Sequence, residues 1–219
     1  MAIIIFVVGI VTGCLLSIII SKISALVINS EVIDKNKNRI QMKKQKSNAA
    51  FAIKNIIVII ISGILFSISF FKFGLNVILI KALALDCILI VVSFIDIEHQ
   101  IIPDKLITVA LAIGFGCLFI NDISFINAMG GMVVGGGILL LLALVPGVLG
   151  GGDIKFMFVL GVFLGVKGVL VAIFLSFAIA SIIGILLLVL KIKKRNDYIP
   201  FGPFLSLGTF IIFHFFIRI

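Results

Sequence analysis

Gly150-Gly151-Gly152-Asp153-Ile154-Lys155 is a small polar island in a very apolar chain. Apolar runs approach it from Ile123 to Val148 and leave it from Ile154 onward, so it reads as a junction between helices. Two further polar points stand upstream, Phe94-Ile95-Asp96 and Ile102-Pro103-Asp104. The chain holds nine carboxylates, and four of them (Asp96, Glu98, Asp104 and Asp153) fall at what the order of apolar runs makes one membrane face.

The composition agrees with that reading. Of 219 residues, 63% are hydrophobic and 12% charged, with a mean hydropathy of +1.43. Soluble domains usually carry about 25% charged residues, so this is the composition of an integral membrane protein. A net charge of +9 would raise nucleic acid as a partner in a soluble protein. Here the basic residues lie mostly between apolar runs and act as topology signals, so the expected surroundings are a lipid bilayer and no nucleic acid. Cys14, Cys87 and Cys117 stand singly inside apolar runs, where cysteine behaves as a small hydrophobe.

Spans follow from length, since about 20 apolar residues cross a bilayer at ~1.5 Å per residue. Ala2 to Ser21 is the first; it lacks the flanks of a signal peptide and is expected to be retained. Asn29 to Asn48, with six basic residues, is expected to be a solvated loop. Spans two to five are Asn55 to Phe71, Leu75 to Ile95, Leu106 to Ile120 (closed by Asn121-Asp122) and Ile123 to Val148. Gly74 supplies the turn into the third, and Gly130, Gly131, Gly135, Gly136 and Gly137 in the fifth allow close helix packing. Ile154 to Val166 is short for a crossing, Gly168 to Leu190 is ample, and Phe201 to Ile217 is the last. The expected fold is therefore an all-α polytopic bundle of about eight segments. Its expected divisions are a first helix (residues 1–28), a short basic loop (29–52) and a transmembrane core (53–219).

Orientation comes from the basic residues. Eight spans put fourteen Lys and Arg on one side and four on the other, so the richer side is cytoplasmic and both termini lie outside. Leaving out the short sixth span would carry the Lys191 to Arg195 cluster outward, which argues for keeping it. Asp96, Glu98, Asp104 and Asp153 then all lie at the cytoplasmic boundary.

Asp96 and Asp153, at matching depth on different spans, have the makings of a hydrolytic pair. Two carboxyls close together in a low-dielectric site resist double ionisation and hold one shared proton. One then deprotonates a water while the other protonates the carbonyl or the leaving amine. Glycines 150 to 152 admit positive φ and let a backbone, the chain's own or a substrate's, pass close to Asp153. Pro103 holds Ile102 extended, and Asp104 is placed to cap the helix that follows.

Taken with Ile199-Pro200-Phe201-Gly202-Pro203-Phe204-Leu205, these motifs resemble the type IV prepilin peptidases, membrane aspartic proteases of the GxGD type. The likeness in order and spacing covers roughly residues 75 to 210. It implies an enzyme that cuts the basic leader from prepilins or pseudopilins at the cytoplasmic face of the bacterial cell membrane, without metal or other cofactor. Carried over position by position, the catalytic pair falls on Asp96 and Asp153. Gly150, Gly151, Gly152, Glu98, Pro103, Asp104 and Lys155 would shape the site or attract the substrate. The amino end departs from the pattern: Asn29 to Asn48 replaces a domain with paired CxxC motifs, which puts the family's methyltransferase activity in doubt.

Other classes read the same residues differently. A small transporter would use glycine-broken helices and the mid-span Asp86, but would spread its polar residues along a path through the bilayer. A non-catalytic assembly component of a pilus or secretion system would have no need of both motif aspartates. A presenilin-type protease shares the GxGD idea but not the Pro200 to Pro203 segment. Asp86 stands ten residues, about 15 Å of helix, from Asp96 and is expected to make a buried contact between helices. His99 and His214 are too far apart in the chain to suggest a metal site.

Overall fold

The computed structural model describes residues 2–32, 40–120, 123–145, 149–194 and 197–216. Among them there is no strand, and seven α-helices follow one another: α1 (Ala2–Val32), α2 (Ile40–Phe73), α3 (Val77–His99), α4 (Asp104–Cys117), α5 (Phe125–Ala143), α6 (Gly151–Val189) and α7 (Gly202–Ile211). A 3₁₀ turn, Leu118–Ile120, extends α4, and a π turn, Ile212–Phe216, extends α7. Five helices are long and apolar enough to cross a membrane: α1, α2, α3, α5 and α6. Their exposed apolar side chains, Ile3, Ile56, Val133 and Phe174 among many, suit a lipid surrounding.

The chain divides into two compact units, Met1–Leu79 and Ile80–Ile219. In the first, α1 packs on α2 through small residues. The Ser62 hydroxyl donates to the Gly9 carbonyl at 2.7 Å, and a Cβ on Gly9 would stand 2.9 Å from the Gly63 Cα. The expected solvated loop over Asn29 to Asn48 is shorter than the sequence reading made it, because α1 runs on to Val32 and α2 starts at Ile40. Gln41, Met42, Lys43, Lys44, Gln45 and Lys46 are good helix formers with no Gly or Pro among them, so polarity there does not mean loop. Lys35, Lys37 and Arg39 lie outside the described residues, as do Asn121, Asp122 and Arg195. Gly74 makes the expected turn, with φ +59 and its N–H on the Phe70 carbonyl at 2.8 Å.

In the second unit α6 is the centre. It is one helical element of 39 residues with a break at Gly165, whose φ of 65 and ψ of −178 are open to glycine alone. The break reverses the chain. A Cβ on Gly135 would lie 2.9 Å from Val169 Cγ1 and 3.1 Å from the Met157 carbonyl oxygen. Residues 157 and 169 of a straight helix would be about 18 Å apart. The arms 151–164 and 166–189 therefore lie side by side against α5, which is the division the sequence expected near residues 166 to 168. Glycine permits the contact: a Cβ on Gly131 would fall 2.5 Å from the Gly161 carbonyl oxygen and 2.7 Å from the Gly165 carbonyl carbon. Asn127 of α5 takes up the backbone freed at the break, its Oδ1 accepting from the Val166 N–H at 3.0 Å.

The short arm is the core of the unit. Phe156, Met157, Val159, Leu160, Val162 and Phe163 are all fully buried. Asp153 stands at the start of this arm, so the packing that buries Phe156 and Leu160 also fixes the first turn that carries the carboxylate.

Candidate active site

Asp96 sits in the last turn of α3 and Asp153 in the first turn of α6, and both are buried, at 3% and 4% exposure. Burying a carboxylate is costly unless donors meet it. Each here is met by a backbone N–H. Gly202, the first residue of α7, donates its N–H to Asp96 Oδ2 at 2.8 Å. Gly150 donates to Asp153 Oδ2 across a longer 3.4 Å, and Asp153 returns its own N–H to the Gly150 carbonyl at 3.2 Å. Asp153 Oδ1 is buried without a hydrogen-bond partner among the described residues.

The two carboxylates line one cavity of about 220 Å³. Gln100, Ile101, Ile102, glycines 150 to 152 and Tyr198 complete its wall. Two glycines lie close against this site. At Gly202 a Cβ would come 2.8 Å from Asp96 Oδ2, so only a bare α-carbon brings that N–H to the carboxylate. At Gly152 a Cβ would press on Ile102 at 3.1 Å, which ties the glycine stretch to the extended segment before Pro103.

The remaining sequence candidates are arranged around this centre. Pro103, with φ −64 and ψ 136, is the residue that precedes α4, and no side-chain cap closes the helix. Asp104 is thus not the cap the sequence suggested. It is the first helical residue, and its carboxylate meets Lys155 Nζ at 2.6 Å with both groups well exposed. Lys155 projects from the same helical turn as Asp153, so the ion pair joins the start of α4 to the start of α6. Glu98 is exposed and lies 3.7 Å from His99 Nε2. Neither Glu98, Asp104 nor Lys155 lines the cavity of the two aspartates.

Three participants escaped the sequence reading. Gln100 takes a left-handed φ of 56 as α3 ends, turning the chain toward Ile102. Gly202 was visible only as part of a motif, whereas its role belongs to its backbone. Tyr198 is the chain's single tyrosine and stands two residues before Pro200, a signal available in the sequence. Partial burial, then the charges of Asp153 and Asp96, hold its phenol above the ordinary range, so the hydroxyl keeps its proton at neutral pH.

Asp86 is elsewhere. Its Oδ1 lies 3.6 Å from His214 Nε2, with both side chains at 0% exposure. Lys81 Nζ stands 5.8 Å from the Phe213 ring centroid beside them. The expected buried contact between helices is present, and its partner is the histidine of the π turn.

Described residues that are all helix or connection, with several helices of membrane length, are the frame of a multi-pass membrane protein, and here two buried carboxylates line one cavity. Residues 83–185, a segment that holds both aspartates, match the type IV leader peptidase family. Proteins named prepilin leader peptidase/N-methyltransferase are similar along more of its length. One from Xanthomonas campestris pv. campestris is 28% identical over 78% of this chain and 62% of its own. One from Neisseria gonorrhoeae is 32% identical over 74% and 58%, and one from Bacillus subtilis 27% over 70% and 63%. The chain thus spans about three fifths of the length of these relatives. No solved structure matches it.

Proposed function

We propose that this protein is a membrane-embedded aspartic endopeptidase that removes the basic leader from prepilins or pseudopilins, with Asp96 and Asp153 as its catalytic pair. The observation that carries the reading is the single cavity lined by both buried carboxylates, within the segment that matches the leader peptidases. The ionised member of the pair takes a proton from a water lying between them. The water oxygen bonds to the scissile carbonyl carbon, and the protonated member gives its proton to the carbonyl oxygen. Collapse of the tetrahedral species breaks the C–N bond as the amine takes up a proton, with no covalent enzyme intermediate. Glycines 150 to 152 leave room for an extended peptide beside Asp153, while Glu98 and Asp104 outside the cavity attract a basic leader.

In this reading α4, the two arms of α6, and α7 with its π turn join the other four helices as eight crossings of the bacterial cell membrane. The site faces the cytoplasm and both termini lie outside. Residues 53–219 form the peptidase core, working without cofactor or nucleic acid. The proposal extends to cleavage and not to methylation. Its test is co-expression of a pilin-like precursor with the native chain, Asp96→Asn or Asp153→Asn at matched membrane levels. Cleavage by the native chain and by neither variant is the expected result; normal cleavage by either variant removes that residue from the pair.

A further inference from the structure

The phenol of Tyr198 belongs to the wall of the cavity that holds the two aspartates. Its oxygen lies 3.6 Å, and Asp153 Oδ2 3.3 Å, from the point where a Cβ of Gly150 would stand. Hydroxyl and carboxylate thus flank the same bare α-carbon, with no more than twice that distance between them. The other oxygen of that carboxylate, Asp153 Oδ1, is buried and has no hydrogen-bond partner among the described residues. Two of the nearby backbone donors are committed, since the Gly150 and Gly202 N–H groups are turned onto Asp153 and Asp96. An acyl transfer site ordinarily directs a fixed donor at the oxygen that gains charge. Here those two backbone groups hold the carboxylates, and Tyr198 brings a side-chain hydroxyl to the same cavity.

The loop that presents Tyr198 is itself held. Lys193 Nζ donates to the Tyr198 carbonyl at 3.3 Å, and the Lys194 N–H donates to Asp197 Oδ2 at 2.8 Å. Pro200 stiffens the chain just beyond. The ring is 45% exposed, so one side of it faces the cavity while the other is open to an arriving peptide.

We propose that Tyr198 is a catalytic residue whose hydroxyl donates a hydrogen bond to the scissile carbonyl oxygen as water adds to the carbonyl carbon. This rests on the peptidase reading above. The proton movements remain those of the aspartates: water gives one to the ionised carboxylate, and the protonated carboxylate gives one to the carbonyl oxygen. Tyr198 keeps its own proton throughout, and its bond to the oxygen shortens as charge gathers there. The raised phenol pKa fits a group that must remain a donor.

The test is Tyr198→Phe, which keeps the ring and removes only the hydroxyl, assayed in membranes beside the native chain, Asp96→Asn and Asp153→Asn. Loss of one such donor elsewhere costs about 10²–10³-fold. In a loop position, kcat should fall by about 10–100-fold, with KM and membrane level unchanged and the same loss at every pH. Native activity in Tyr198→Phe, with both aspartate variants silent, overturns the role of Tyr198 alone. A loss carried by KM, or one seen only as a displaced pH profile, also overturns it, since the hydroxyl would then hold the leader or tune the pair. Activity in the aspartate variants overturns the peptidase site itself, and Tyr198 with it.

Discussion

Helix α3 carries two buried carboxylates on one continuous element, and their surroundings could hardly differ more. Asp96 ends the helix beside glycines, one backbone N–H and a cavity. Asp86 lies mid-helix at 0% exposure against an imidazole, with Lys81 and Phe213 close by. The His214 Nδ1 atom is 3.1 Å from the Phe210 carbonyl, which only accepts, so that nitrogen carries a hydrogen and Nε2 is the one turned to Asp86. Burial therefore does not mark a reactive carboxylate by itself. What separates the two is the neighbour: Asp96 has a backbone N–H and a cavity beside it, whereas Asp86 has a packed imidazole and no space.

The largest effect should come from exchanging each acid for its amide. Asp96→Asn is expected to lower the initial rate of precursor cleavage about 10²–10⁴-fold, while Asp86→Asn keeps the native rate per folded molecule. Equal losses in a normalised membrane assay would erase the distinction. Next comes stability. Breaking a buried polar pair costs about 3 kcal/mol, so Asp86→Ala should lower the melting temperature in detergent well below that of Asp96→Asn. Asp86→Leu combined with His214→Phe should recover most of the loss; no recovery would mean that Asp86 does more than bind its histidine.

Gly202→Ala should act in the opposite sense. The new methyl would push on Asp96 Oδ2, the movable end of a side chain, so the fold survives while the carboxylate shifts. A displacement of about 1 Å can cost a hundredfold, and cleavage should drop about 10–100-fold at an unchanged melting temperature. The smallest effect belongs to the exposed Asp104–Lys155 pair. Exposed ion pairs contribute about 0–1 kcal/mol, so Lys155→Met should move the melting temperature hardly at all, and less still in high salt.

Much of this is legible in the sequence. Long apolar runs identify the membrane-length helices, because burying backbone in lipid leaves few alternatives to a helix. Asp96 and Asp153 stand out as rare charges within motifs. What was hidden is what depends on three-dimensional neighbours. Gly165 looks no different from Gly161 or Gly168 in the sequence, yet it alone takes the left-handed φ at the reversal. Asp104 has the composition of a cap, but a lysine from α6 competes for its carboxylate and wins. The tie between Asp86 and His214 joins opposite ends of the second unit, and no local pattern announces it. The helix over residues 40–48 departs from expectation for the reverse reason: its charges suggest a solvated loop where helix propensity is high.

The reversal at Gly165 also bears on how the chain is made. An arm of fourteen residues, about 21 Å long, is a poor candidate to be threaded through a ~30 Å hydrocarbon layer by itself. Its far end presents unsatisfied backbone until Asn127 reaches the Val166 N–H. Synthesis runs from the amino end, so α5 with its asparagine emerges before α6. The insertion machinery then has a docking post ready, and the hairpin can be laid against it as a unit, both arms together, just as the second arm leaves the ribosome.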